Sequence, residues 1–226
     1  MRNKKKLCFL MLCIFSFFTC LSFVSAKTIT VHYYESVRKP TYDWIKTYLG
    51  GTHAVFGYNA IGNASVETQL NNSAIFVVHN HGAPGRQSLS GTSSNGICGT
   101  NGDGTTWKSL DSMTVNFGKP LYIAIYYGCS TGVTTSAYGN IMTATTNKKA
   151  KSAVAWNVNT YVNDVNIWNM YFFDKARTYN ATGLNALTYA DTSLAADSGA
   201  INALIMKNNR VTAGTFGWTF SSVLFQ

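Results

Sequence analysis

The sequence predicts an α/β fold with a mostly parallel central sheet flanked by helices, and three observations carry that expectation. Residues 74–78 (AIFVV) and 121–127 (LYIAIYY) are unbroken apolar runs, the pattern of strands buried on both faces. Segments with helical spacing stand between these runs and their neighbours, as crossover connections in a parallel sheet require. Apolar residues make up 46% of the 226-residue chain and charged residues only 12%, which excludes intrinsic disorder. The length suits one ordinary domain, and no internal repeat or linker interrupts it.

The elements follow in order. Residues 28–34 (TITVHYY) are β-branched and aromatic and read as a strand. Residues 40–49 (PTYDWIKTYL) place Tyr42, Ile45, Tyr48 and Leu49 at helical spacing, with Gly50 and Gly51 as the stop. A short strand is expected at 54–58 and a helix at 65–70, then the apolar strand 74–78. The Gly/Ser/Asn/Thr-rich stretch 80–105 reads as the longest loop, mobile enough to cover a site. After the strand 121–127 come a helix over 134–146, a strand at 152–156 (SAVAW) and an amphipathic helix over 164–177. Two shorter helices at 184–194 and 201–206 and a strand over 211–220 close the chain.

The N-terminus reads as an address. Arg2, Lys4, Lys5 and Lys6 precede an apolar run over 7–23 and a small-residue site at Val24-Ser25-Ala26. That is the layout of a secretory signal peptide over 1–26, short and lysine-rich as in bacteria, leaving a secreted domain over 27–226 with no stable membrane association. From Lys27 onward 14 basic residues face 9 acidic ones, so the net charge of +9 falls to +5 and no nucleic-acid partner is implied. Of five cysteines only Cys98 and Cys129 lie beyond that segment, which allows one disulfide at most.

Ligands of parallel sheets bind beyond the carboxyl ends of the strands. The strand 74–78 runs into His79-Asn80-His81-Gly82, and the strand 121–127 into Gly128-Cys129-Ser130-Thr131-Gly132. If the two strands are neighbours, an imidazole and a thiol meet at one edge, and a thiol needs such a base to become a nucleophile near neutral pH. The backbone N–H groups of Gly82 and Cys129 would then face a developing oxyanion. His79 offers a competing imidazole. His81 is preferred because glycine follows it and it lies further past the strand, which leaves His79 a structural role.

These two strand ends resemble those of the caspase-like cysteine peptidases, a group that includes caspases, gingipains, clostripain, separase and the bacterial CHAT domains. Cys129-Ser130-Thr131-Gly132 is similar to the Cys-x-Thr-Gly of CHAT-type sequences, and 150–158 (AKSAVAWNV) and 164–173 resemble their next strand and helix. The resemblance spans about 28–190. It implies a peptidase acting on protein or peptide substrates without a cofactor, with His81 as general base, Cys129 as nucleophile and a thioester acyl-enzyme. Members that cleave after Arg or Lys carry a carboxylate in the specificity pocket. By that likeness Asp164 is a candidate for binding a basic P1 residue and Trp156 for lining the pocket. Asp164 equally suits the N-cap of the helix it opens, and a strand-end tryptophan equally suits the core.

Other readings stand beside this one. Gly128 to Gly132 also matches G-x-S-x-G around Ser130, but that triad needs a histidine after the serine, and all four histidines precede it. His79-x-His81 could supply two zinc ligands, although no HExxH or paired CxxC supports a metal. Asn101-Gly102-Asp103-Gly104 suits a turn as well as a calcium loop. A Cys98–Cys129 disulfide would make the thiol inert and the chain an exported binding module of the same fold.

Overall fold

The computed structural model describes residues 28–59, 65–91, 95–114 and 121–224. The expected signal segment lies outside the described residues. Six strands form the central sheet in the order β10-β9-β8-β3-β1-β2. They are β1 (Thr28–Tyr33), β2 (Val55–Asn59), β3 (Ser73–His79), β8 (Ile123–Tyr127), β9 (Ser152–Trp156) and β10 (Arg210–Gly214). All neighbours pair parallel except β10, which runs antiparallel to β9 with Arg210 opposite Trp156. Every residue of β3, β8 and β9 is buried, as continuous apolar strands between two layers must be.

Successive side chains on these strands enter opposite cores. Ile75, Val77, Ile123, Ile125 and Val154 face one layer; Phe76, Val78, Ala124, Tyr126 and Ala153 face the other. The first layer is closed by α1 (Lys39–Leu49), α4 (Val162–Ala176), α5 (Gly183–Ala196), α6 (Ala203–Asn209) and α7 (Phe220–Leu224). The second is closed by α2 (Val66–Asn72) and α3 (Ile141–Asn147). Pro40 stands in the first turn of α1, where its missing N–H costs nothing. Asn140 caps α3, its Oδ1 accepting from the N–H groups of Met142 and Thr143. The outlying strand β10 is tied down by Arg210, whose guanidinium forks onto Asp191 of α5 at 2.6–3.1 Å, while Trp168 donates to the same carboxylate.

The sequence expectation fails in three places. Residues 80–105 are not one loop, because a second sheet, β4-β5-β6-β7, is built from Gly82–Ala83, Arg86–Ser88, Gly96–Cys98 and Trp107–Ser109. Strands of two or three residues leave no periodicity to read. The Ala83-Pro84-Gly85-Arg86 turn joins β4 to β5, with Gly85 at φ +71° where a type II turn requires a left-handed residue. The helix expected over 134–146 begins only at Ile141, since Thr135 and Gly139 pair to make a tight turn first. The closing strand ends at Gly214, and α7 follows.

Candidate active site

Parallel pairing of β3 with β8 places His79 opposite Tyr127, so His81 and Cys129 each lie two residues past the same edge of adjacent strands. Adjacent strands run about 4.8 Å apart, and here the turns beyond them are in contact. A Cβ built on Gly82 would sit 2.7 Å from the Gly128 carbonyl carbon and 2.8 Å from the Cys129 nitrogen. A Cβ on Gly128 would meet Gly82 Cα at 2.9 Å. Glycine at both positions is therefore what lets the His-Gly and Gly-Cys main chains touch.

Residues the sequence reading did not single out hold this contact. Asn80 is buried; its Oδ1 accepts from the His81 N–H at 2.7 Å and its Nδ2 donates to the Ser90 carbonyl. Gln87 is fully buried, its Nε2 donates to the His81 carbonyl at 3.0 Å, and its Oε1 faces Gly128. The Thr131 hydroxyl lies 3.1 Å from the carbonyls of both Tyr126 and Gly128. Ser130 adopts φ +57°, and its N–H is held by the Val158 carbonyl at 2.9 Å. No signal in a single sequence separates such amides and hydroxyls from ordinary loop residues.

The Cys129 thiol is partly exposed and faces the Thr160 carbonyl at 3.9 Å, while the His81 ring packs at 6.3 Å from the Tyr34 ring. Gly82 pairs with Gln87 at a non-hydrogen-bonded position of the β4-β5 ladder, where Ser88 donates to the His81 carbonyl instead. Among the described residues neither the Gly82 N–H nor the Cys129 N–H donates a hydrogen bond. Two backbone donors are thus available within a few ångströms of the thiol's own residue.

The second imidazole is occupied. His79 is buried with its Nδ1 2.8 Å from Thr41 Oγ1, and the Thr41 hydroxyl donates onward to Asn166 Oδ1. Thr41 has one proton to give, so His79 is the donor and carries its proton on Nδ1. Burial, with a lesser push from Arg38, holds its pKa well below 6.5.

The pocket residues expected from the sequence do not line the site. Asp164 is 0% exposed, its Oδ1 accepting from the Ile201 N–H at 2.9 Å and its Oδ2 from the Asn202 N–H at 2.7 Å. It belongs to the first turn of α4, whose N-cap is Tyr161, so it clamps the turn into α6 rather than capping its own helix. A substrate cation has no access to that carboxylate. Trp156 is likewise 0% exposed, stacked on Tyr127 at 5.1 Å and edge-on to Trp168 at 5.4 Å; it is core.

Cys98 and Cys129 are both free thiols. Cys98 is buried on β6 against the Thr100 and Lys108 carbonyls, and burial pushes its pKa up to about 11. Asp103 Oδ1 accepts from the N–H groups of Thr105, Thr106 and Trp107, an Asx-type turn that holds its carboxyl down at about 2. Among the described residues no three His, Cys, Asp or Glu side chains converge on one point. In the same set no helix is long and apolar enough to cross a membrane.

No family model and no curated protein sequence matches the chain. Its fold does match solved structures. The Arg-specific cysteine proteinase gingipain R superposes with a TM-score of 0.60 over 85% of this chain, at 9% identity. Separase, in the Saccharomyces cerevisiae separase–securin complex solved at 3.0 Å, superposes with a TM-score of 0.53 over 83%, at 12% identity. This chain spans 46% of the gingipain structure and 12% of the separase one. The six-stranded sheet, its helical layers and these neighbours together make the fold caspase-like.

Proposed function

We propose that the chain is a cysteine endopeptidase in which Cys129 is the nucleophile and His81 the general base. The observation that carries this reading is the contact of the His81-Gly82 and Gly128-Cys129 main chains at adjacent strand ends, with two N–H groups uncommitted there. The Cys129 thiol gives its proton to His81 and its sulfur attacks the scissile carbonyl carbon. The Gly82 and Cys129 N–H groups receive the oxyanion. The tetrahedral intermediate collapses, the C–N bond breaks, and His81 returns the proton to the leaving amine. Water, deprotonated by His81, then hydrolyses the thioester and releases the acid. The likeness to an Arg-specific proteinase in fold, with Asp164 buried, supports a common scaffold and leaves no charged pocket at that position for basic P1 residues. Export rests on the basic-apolar-small pattern of the first 26 residues.

The test is thiol mapping. Iodoacetamide at about pH 6 labels an ordinary thiol slowly. Rapid adduct formation at Cys129 that is lost in His81→Ala, with peptide hydrolysis abolished in Cys129→Ala and partly retained in Ser130→Ala, is the expected result. Slow labelling of Cys129 in the wild type, or equal loss of hydrolysis from Cys129→Ala and Ser130→Ala, refutes the assignment.

A further inference from the structure

A cavity of about 370 Å³ lies against the β1-β2 edge of the sheet, under α2, and has no part in the dyad. Its walls include Thr30, Phe56, Tyr58, Thr68, Gln69 and Asn72, and no acidic or basic side chain is among the described residues that line it. The volume falls within the ~300–1,000 Å³ range of small-molecule sites. Thr28 and Thr30 belong to the first half of β1, whereas the thiol sits past the far end of β8, two strands away.

Two features suit this cavity to one kind of ligand. Phe56 is 47% exposed on the edge strand although it is a large aromatic, and Tyr58 lies two residues on along the same face. Together they offer a flat apolar wall. Some polar groups here are satisfied, Thr30 Oγ1 accepting from Ser73 and the Asn72 carbonyl from Thr28, but others lack ordinary partners. Gln69 Oε1 and, behind Tyr58, both ring nitrogens of His32 are buried without a hydrogen bond of ordinary geometry, and the two side chains interact weakly with each other. His32 is 1% exposed, stacked at 5.3 Å on Tyr58, and no hydrogen bond of ordinary geometry joins it to Gln69. Burial holds its pKa down at about 4, so near neutral pH the ring offers one donor and one acceptor. Buried polar groups in native proteins normally find partners. Here Gln69 lines the cavity, and His32 lies behind its Tyr58 wall.

We propose that this cavity binds a neutral sugar ring, free or as the end of a glycan chain. A pyranose presents an apolar C–H face to aromatic rings and hydroxyls, each both donor and acceptor, around its edge. That matches Phe56 and Tyr58 on one side and Gln69, Thr68 and Asn72 on the other. With no cationic side chain among the described residues that line it, the cavity offers no charge partner to a phosphate or carboxylate. A purely apolar ligand would leave Gln69 Oε1 unpaired.

Saturation-transfer NMR on the intact chain with glucose, galactose, mannose and N-acetylglucosamine, and then with their β-linked oligomers, tests this. Saturable binding of at least one sugar is expected, with transfer strongest to the ring C–H protons. Phe56→Ala and Gln69→Leu should each weaken it tenfold or more, and Thr68→Val severalfold, with thermal unfolding confirming that each variant is folded. Phe56 and Thr68 are exposed, so these two substitutions leave the core alone. Cys129→Ala should bind as the wild type does, which keeps this result separate from that of the dyad. Binding of oligomers alone assigns the site to chain ends and supports the proposal. No saturable binding by any probe, or binding that survives both Phe56→Ala and Gln69→Leu, overturns it.

Discussion

Replacing Gly82 by alanine adds one methyl group at the point where the two site turns touch. The new Cβ would lie 2.6 Å from Thr131 Cγ2, 2.7 Å from the Gly128 carbonyl carbon and 2.8 Å from the Cys129 nitrogen. Two of these three atoms are backbone, so rotating a side chain cannot relieve the clash. Reaching an ordinary contact of 3.4 Å requires the turns to part by about 0.6–0.8 Å. Gly82 is not at positive φ, so the cost is steric rather than torsional. Overpacking of this kind costs about 1–3 kcal/mol, which for a domain of this size lowers Tm by roughly 2–12 °C. The larger effect falls on the chemistry, since misplacing reacting groups by about 1 Å can cost ~100-fold. Differential scanning fluorimetry and the iodoacetamide rate at Cys129 read the two effects separately. Gly51→Ala is the control, because a Cβ there meets nothing within 4 Å. If Gly82→Ala keeps wild-type Tm and labels Cys129 within twofold of the wild-type rate, the contact between the turns is not what positions the thiol.

Other substitutions separate structural from chemical roles. Asp164→Ala removes the buried acceptor of the Ile201 and Asn202 N–H groups and should cost about 1–3 kcal/mol without changing the ratio of cleavage after Arg to cleavage after Leu; a selective loss after Arg would restore the carboxylate to the pocket. Cys98→Ala should leave Cys129 labelling unchanged by peptide mass spectrometry, and a Cys98–Cys129 disulfide in the wild-type digest would refute free thiols. His32 and His79 are both held neutral by burial, with folded pKa values below 6.5. The unfolded chain therefore binds more protons as pH falls, so stability present above about pH 6.5 drains away on acidification, at up to about 1.4 kcal/mol per pH unit for each ring. For His32 that window runs down to about pH 4. Tm measured between pH 7 and 4 should fall more shallowly in His32→Phe; an unchanged slope means that this ring is not protonated on unfolding.

The fold was legible wherever a segment was long or wholly apolar. The runs at 74–78 and 121–127 become β3 and β8, and SAVAW is β9 to the residue. The short strands of the second sheet were hidden because a glycine-rich stretch of two-residue and three-residue pairings has no period. The strand ends of the candidate site were legible too, since order and residue type are local properties. What surrounds them was not. Asp164 finds its partners 37 and 38 positions away at Ile201 and Asn202, and Gln87 meets Gly128 only because the β4-β5 hairpin folds onto the turn after β8. Contacts across such separations leave no trace in one sequence. The separation of His79 from His81 shows both sides of this: position past the strand favoured His81, but the occupation of His79 by Thr41 needed α1 in place.

The pairing of β3 with β8 also bears on timing. His81 and Cys129 stand 48 positions apart, and most of the chain between them is spent on the second sheet before returning to the same edge. Until β3 and β8 are in register, the imidazole and the thiol are strangers in a loose coil, and closing a loop of that length carries an entropic toll that only the assembled sheet repays. On the proposed reading the thiol is an ordinary one until that register forms. If Cys129 is the nucleophile, the same hydrogen-bonded β3-β8 ladder that stabilises the domain also serves as its safety catch.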